Sequence, residues 1–393
     1  MTNFNSINDL PPPDAGALAV SETLTDVIHQ EIDASNGQIS FARFMELALY
    51  APGLGYYVAG CHKLGEAGDF VTAPEISALY SRCVARQCEQ VLQQTGGDIL
   101  EFGAGRGVMA ADILTELAAR GCLPEHYYIL ELSSDLRERQ FTTLSRTAPE
   151  HHSRVVWLDE LPQRFDGVML ANEVLDAMPV HRFHINKEGN QECHVSWQDG
   201  LVMRNGPCSD EVARAVSQIQ AGLAEPLPDG YQSEINLATV SWTDTVAKIL
   251  GHGLMLIMDY GYTRSEYYSA ERHDGTLVCH YRHRRLTDPL QRVGLQDITA
   301  HVDFTAVAEA ALHSSLDVLG YTPQAQFLLS AGITGILAES DPDDMTRHLQ
   351  LSQQVKQLTL PGEMGEMVKF MALGREVEPA LLGFTLKDLR GRL

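Results

Sequence analysis

The chain has 393 residues, room at roughly 100–200 per domain for two domains or for one large α/β domain with insertions. Its 44% hydrophobic and 21% charged residues are those of an ordinary folded protein and exclude a disordered or collagen-like chain. With 29 Lys and Arg against 52 Asp and Glu the net charge is −23, which counts against a nucleic-acid partner, because phosphates are met largely by Lys and Arg.

Residues 1–20 are polar and hold no Lys or Arg, unlike a secretory or transit leader. With the stiff Pro11-Pro12-Pro13 they are expected to form a flexible tail. A helix is expected from Ser21 to about Ala34, ended by Asn36-Gly37. A second starts at the Ser40 N-cap, with Phe41, Phe44, Met45, Ala48 and Leu49 at helical spacing and Pro52-Gly53 as its stop. From Asp98 strands and helices alternate: strand Ile99–Phe102, helix Met109–Ala119, strand Tyr127–Leu130, helix Leu136–Ser145. That rhythm argues a parallel sheet with helices on both faces. Further strands are expected at Arg154–Trp157, Gly167–Ala171, Leu254–Asp259 and Val368–Leu373, the last as an edge or antiparallel strand. Between Pro179 and His252 the rhythm breaks. Val180–Ile185, Glu192–Trp197 and Leu201–Arg204 read as a small antiparallel sheet, separated by turn residues. Helices Asp210–Ala224 and Glu234–Leu250 follow, the second opened by Ser233 and closed by Gly251 or Gly253.

The longest apolar runs, such as Leu254–Met258, fall far short of the ~20 residues of a membrane span. Seven cysteines, an odd number without a C-x-x-C pair, indicate neither a disulfide framework nor a zinc site. A reducing cytoplasm is the expected compartment, and no metal is expected.

The sharpest local motif is Glu101-Phe-Gly103-Ala-Gly105-Arg-Gly107, between a strand and a helix. Glycines there permit a tight turn and bring a ligand close to amide groups at a helix N-terminus. A dinucleotide fingerprint, G-x-G-x-x-G, would place its third glycine at 108, where the chain has Val108. The pattern E-x-G-x-G-x-G instead resembles the S-adenosylmethionine site of Rossmann-like methyltransferases. Two carboxylates extend that reading. Glu131 ends the second strand, where it can accept from both ribose hydroxyls, and Asp159 follows the third, where it can receive the adenine amine. Either acid alone reads as a solvated loop residue. Together they sit where open α/β sheets bind ligands, beyond the carboxyl ends of the strands.

Longer segments carry a more specific resemblance. Tyr50-Ala-Pro-Gly-Leu-Gly-Tyr-Tyr57, Leu64-Gly-Glu-Ala-Gly-Asp-Phe-Val-Thr-Ala-Pro-Glu-Ile-Ser77, Asn172-Glu-Val-Leu-Asp-Ala-Met-Pro-Val-His181, Asp259-Tyr-Gly261, Tyr281-Arg-His-Arg-Arg-Leu286 and His301-Val-Asp-Phe304 are similar to the MidA family of S-adenosylmethionine-dependent methyltransferases. That family includes the mitochondrial complex I assembly methyltransferase. The resemblance runs from about residue 21 to the C-terminus, and the lack of a transit segment points to a bacterial relative. It implies a Rossmann-like methyltransferase core, a mostly parallel sheet with helices on both faces. To this are added an N-terminal helical extension and an inserted small antiparallel sheet plus helices. The implied division is tail 1–20, helical and cofactor-closing region 21–95, core 96–178, substrate-recognition insertion 179–252, and second part of the core 253–393. The implied cofactor is S-adenosylmethionine. Gly103 and Gly105 would hold its amino-acid end, Glu131 its ribose and Asp159 its adenine edge, with Glu101, Ala104, Leu132 and Glu160 as further cofactor-binding candidates. Asn172 would line the pocket, and Gly68, Asp69, Phe70, Thr72 and Pro74 would close over it. Phe102 and Ala104 stand where relatives commonly have leucine and proline.

The mitochondrial branch implies methylation of a protein arginine, so the expected partner is a protein with an accessible arginine and neither nucleic acid nor membrane. A guanidinium suits a carboxylate fork that fixes the nucleophilic nitrogen. Glu173 and Asp176 are the candidates, Glu173 to orient the acceptor; the alternative makes Asp176 a helix cap and Glu173 a solvated side chain. His301 and Asp303 form a second candidate pair, an alternating His-Val-Asp on a strand placing both on one face for acid–base work. The basic run Tyr281–Arg285 reads as a solvated loop or as a clamp for the cofactor carboxylate or an acidic partner patch. Two other functions stay open: a small-molecule methyltransferase on the same core, and a non-catalytic assembly factor that binds the cofactor.

Overall fold

A computed structural model describes residues 12–59, 72–341 and 343–393. The chain divides into two compact units. One draws on residues 1–70, 176–240 and 262–303, the other on residues 71–175, 241–261 and 304–393. Helix Ala78–Thr95 belongs to the second unit, and residues 262–303 belong to the first.

The second unit is built on a sheet in which seven strands run, from edge to edge, Val155–Leu158, Tyr127–Leu130, Asp98–Phe102, Phe165–Asn172, Leu250–Tyr262, Val368–Arg375 and Asp317–Pro323. The first five pair in parallel, and Val368–Arg375 is antiparallel to both of its neighbours. Strand order reverses between Asp98–Phe102 and Phe165–Asn172, the kind of switch point where such sheets bind ligands. The strand expected at Val368–Leu373 is antiparallel but internal; Asp317–Pro323, which sequence reading missed, covers it. Helices Ala78–Thr95, Val108–Ala119 and Ser134–Thr147 pack on this sheet. Its core joins Ile99, Ile113, Leu117, Tyr127, Val168, Leu256 and Phe370. The central strands are apolar along nearly their whole length because both faces are covered.

In the first unit, helix Ala15–Ala34 starts earlier than expected. Asp14 caps it, its carboxylate accepting from the Ala17 N–H at 2.8 Å. Residues 15–20 are thus helical, while residues 1–11 lie outside the described residues. Ser21, Leu24, Ile28 and Ile32 form the buried stripe. Helix Phe41–Tyr50 is capped by Ser40 as expected. The three inserted strands are found at His181–His184, Gln191–Trp197 and Leu201–Pro207, joined by Gln38–Ser40 and Gln232–Ile235 in one five-stranded antiparallel sheet.

Ser233 and Glu234 correct the expected helix start. Both lie on the strand Gln232–Ile235, because the fully buried Glu234 accepts from the Thr276 N–H at 2.8 Å and pairs with Arg182 at 3.7 Å. The helix begins instead at Leu237, with Asn236 accepting from the Thr239 N–H at 2.8 Å. It ends at Ile249, and Gly251 and Gly253 lie on the following strand rather than acting as a cap. The basic run is a β-hairpin and not a loop. Val278–Tyr281 pairs with Arg284–Leu286, and Arg282 and His283 take φ of 48° and 61°, the positive values a tight primed turn needs.

Candidate functional site

The carboxyl end of strand Asp98–Phe102 opens into the glycine turn. Gly103, Gly105 and Gly107 have φ of 60°, 53° and 80°, a region L side chains enter at a cost. Gly107 is the N-cap of helix Val108–Ala119. A Cβ there would lie 3.1 Å from the Gln140 Cα, whereas at Gly105 it would meet nothing within 4 Å. Beneath the turn, Glu101 is buried and accepts from the Tyr127 hydroxyl at 2.7 Å. Burial pushes its carboxyl up to about 7, with the Tyr127 hydrogen bond opposing and the Glu131 charge adding to the rise. Glu101 is thereby tied to the neighbouring strand.

Glu131, at the end of the next strand, is also buried. One of its oxygens accepts from the Ser133 N–H at 2.9 Å and the other from Gln140 Nε2 at 2.9 Å. Burial raises its pKa, and the Ser133, Gln140 and Leu132 hydrogen bonds hold the rise back. A carboxylate offers about four acceptor sites, so these three donors leave capacity for a ligand hydroxyl. The Gln140 amide also reaches the Gly105 carbonyl at 3.0 Å, and Trp157 Nε1 donates to Gln140 Oε1 at 2.9 Å. Gln140 thereby ties the turn, Glu131 and the third strand together. Leu132 next to Glu131 is 74% exposed, an apolar side chain left beside the turn.

Asp159 stands past the third strand with its side chain 89% exposed, paired with Arg137 at 2.7 Å; Arg137 Nε also donates to the Glu131 carbonyl. Glu160 is exposed. Ala104 is buried within the turn. Thr72 precedes the short helix Ala73–Ile76, in which Pro74 is buried, and Glu75 of that helix pairs with Arg106 of the glycine turn at 3.5 Å. Gly68, Asp69 and Phe70 lie outside the described residues.

Strand Phe165–Asn172 ends in a second turn beside the first. Asn172 Oδ1 accepts from the Tyr80 hydroxyl at 2.7 Å, and Asn172 Nδ2 lies 3.5 Å from Glu173 Oε1. Glu173 has φ of 52°. For a residue with a Cβ such a conformation costs of order 1–3 kcal/mol and marks sites where the surroundings over-determine the backbone. Its N–H donates to the Met258 carbonyl at 2.8 Å.

The other candidate acids belong to the first unit. Asp176 is buried, and its backbone carbonyl accepts from the Ala300 N–H at 2.9 Å; it caps no helix among the described residues. The expected alternation of His301 and Asp303 on one strand is not found. The strand is only Val302–Asp303, because the backbone N–H of His301 is turned to the Thr276 hydroxyl at 3.0 Å. The His301 ring lies edge-on to Tyr262 at 5.1 Å, and Asp303 pairs with Arg264 at 3.4 Å. Of the residues sequence reading missed, Tyr80, Tyr127, Gln140, Arg137 and Asp259 support the two turns. Only Asp259 stood in a motif that sequence had singled out. Among the described residues no cluster of His, Cys, Asp and Glu could hold a metal, and no helix is long and apolar enough to cross a membrane.

The model of a family described as S-adenosyl-L-methionine-dependent methyltransferases matches residues 83–322. The chain is 28% identical to the human mitochondrial protein arginine methyltransferase NDUFAF7, over 86% of this chain and 80% of that one. It is 27% identical to the Danio rerio protein of the same name, over 86% and 84%. A crystal structure from Burkholderia thailandensis with S-adenosyl-homocysteine bound matches at 44% identity with a TM-score of 0.93, covering 98% of this chain and 100% of that one.

Proposed function

The chain belongs to the family of S-adenosyl-L-methionine-dependent methyltransferases, and from that premise we propose that it methylates an arginine side chain of a partner protein. S-adenosylmethionine, when bound, supplies an electrophilic methyl group. The residues present fit that cofactor. The left-handed glycines leave a side free of Cβ atoms at Gly105, Glu131 keeps acceptor capacity for a hydroxyl, and Leu132 offers an apolar side chain. The glycine turn and Glu131 would hold it, with Asn172 beside them.

What remains for the chain is to align a nucleophile and accept one proton as nitrogen bonds to the methyl carbon and the carbon–sulfur bond breaks. The observation that carries the reading is Glu173, whose backbone is held in a costly left-handed conformation at the switch point of the sheet. A carboxylate there can take two N–H groups of a guanidinium, fix its third nitrogen, and draw off positive charge as the proton leaves. The names of the mitochondrial relatives point the same way. The acidic balance of the chain suits a cationic acceptor.

The test is incubation of the purified protein with methyl-labelled cofactor and lysate protein from a strain lacking it, followed by amino-acid analysis. Label in methylated arginine is the expected result. Label confined to the small-molecule fraction, or none at all, would overturn the reading.

A further inference from the structure

Asp259, on strand Leu250–Tyr262, is fully buried and plays no part in the chemistry above. Its Oδ2 accepts from two successive backbone N–H groups, those of Val174 at 3.2 Å and Leu175 at 2.8 Å, and its Oδ1 accepts from the Tyr260 N–H at 2.8 Å. Strand register sets Met258 opposite Asn172, and the Met258 carbonyl takes the Glu173 N–H. Three consecutive amides, of residues 173, 174 and 175, are therefore drawn onto the end of one neighbouring strand, two of them by a single carboxylate oxygen. Hydrogen bonds to an ionised acceptor are stronger than neutral ones, and a left-handed residue with a Cβ persists only where its surroundings force it.

We propose that Asp259 is the positioning residue that holds Glu173 in its left-handed conformation and so aims the Glu173 carboxylate at the acceptor. The inference rests on the reading of Glu173 as the group that orients the acceptor. An asparagine at 259 keeps the shape but has one oxygen and one NH2. Whichever way it turns, a donor meets a donor, either at Tyr260 or at Val174 and Leu175.

Three substitutions, two of them also combined, test this. In Asp259→Asn, assayed at a temperature where it is folded, kcat should fall about 100-fold, as for an angstrom-scale misplacement of a reacting group. Cofactor affinity by calorimetry should be unchanged. Wild-type kcat in folded Asp259→Asn overturns the positioning role and leaves the reading of Glu173 intact. Wild-type kcat in Glu173→Gln overturns that reading instead. The backbone part is tested apart from activity by thermal unfolding. In the wild type Glu173→Gly removes the full cost of the left-handed conformation; in Asp259→Asn, where residue 173 is no longer held there, less of that cost is left to remove, so the same substitution should raise the melting temperature less than it does in the wild type. Simple additivity overturns the proposal. If Asp259→Asn does not fold alone, the double variant should not fold either; a folded double variant also overturns it.

Discussion

Two turns stand side by side at the carboxyl ends of neighbouring strands, and they reach left-handed backbone by opposite means. At 103–107 three glycines adopt positive φ with no Cβ to object, and Gln140 ties the turn so formed to Glu131 and the third strand. At 172–175 the left-handed residue is Glu173, and the shape is imposed by a neighbouring strand through Met258 and Asp259. A turn whose task is to let a ligand approach backbone can dispense with side chains. A turn whose task is to present a carboxylate cannot, so its conformation must be enforced from outside.

The comparison breaks most readily at Glu173. Glu173→Gln should lower kcat by at least about 100-fold, on the scale expected for losing a group that orients or takes a proton. Cofactor binding by calorimetry should stay nearly intact; normal turnover would place the essential chemistry elsewhere.

The glycine turn carries a pH signature instead. Burial lets folded Glu101 keep its proton up to about pH 7, against 4.5 for an ordinary glutamate. Between those values the folded chain binds more protons than the unfolded one. Stability from the protonated carboxyl is thus complete below pH 4.5 and falls as pH rises toward 7, by of order 3 kcal/mol across the window. Denaturant midpoints for the wild type and Glu101→Gln should diverge in slope within that window. Parallel curves would show that Glu101 is ionised in the folded protein throughout.

Smaller effects separate positions within the glycine turn. Gly107→Ala combines positive φ with a 3.1 Å approach to the Gln140 backbone and should cost about 2 kcal/mol. Gly105→Ala has the φ cost alone, about 1 kcal/mol, but would place a methyl where the cofactor is proposed to approach. Urea unfolding should rank Gly107→Ala as the less stable, and calorimetry should rank Gly105→Ala as the weaker cofactor binder. The smallest change is Tyr80→Phe, which removes one hydrogen bond to Asn172 and should cost about 1 kcal/mol. A kcat reduced together with that loss would tie Asn172 to the geometry of Glu173.

The first turn was legible because its requirement is written in residue type. Glycines at 103, 105 and 107, after a strand and before a helix, admit few other readings, and the acids at 101 and 131 sit at strand ends that periodicity finds. Glu173 could be named as a candidate, but nothing in Asn172-Glu-Val-Leu states that its φ is positive. His301 and Asp303 show the converse failure. Alternation in sequence suggested a shared strand face, and a hydrogen bond from the His301 N–H to the hydroxyl of Thr276, remote in sequence, set His301 off the strand. Ser233-Glu234 failed for a like reason, since a cap signature lost to Arg182 and Thr276, which bury Glu234 in a sheet.

By itself the sequence determined the α/β alternation, the methyltransferase-like glycine turn, the inserted antiparallel strands and the pool of candidate acids, because each depends on local periodicity or local backbone freedom. Tertiary structure decided the rest. It placed Asp317–Pro323 outside Val368–Arg375, drew residues 262–303 into the first unit, buried Glu101 beneath the turn, and set Asp259 against the amides after Glu173. These are pairings across tens or hundreds of residues, fixed by which strand lies beside which, and hydrogen bonds between such partners leave no periodicity in the chain for a sequence to display.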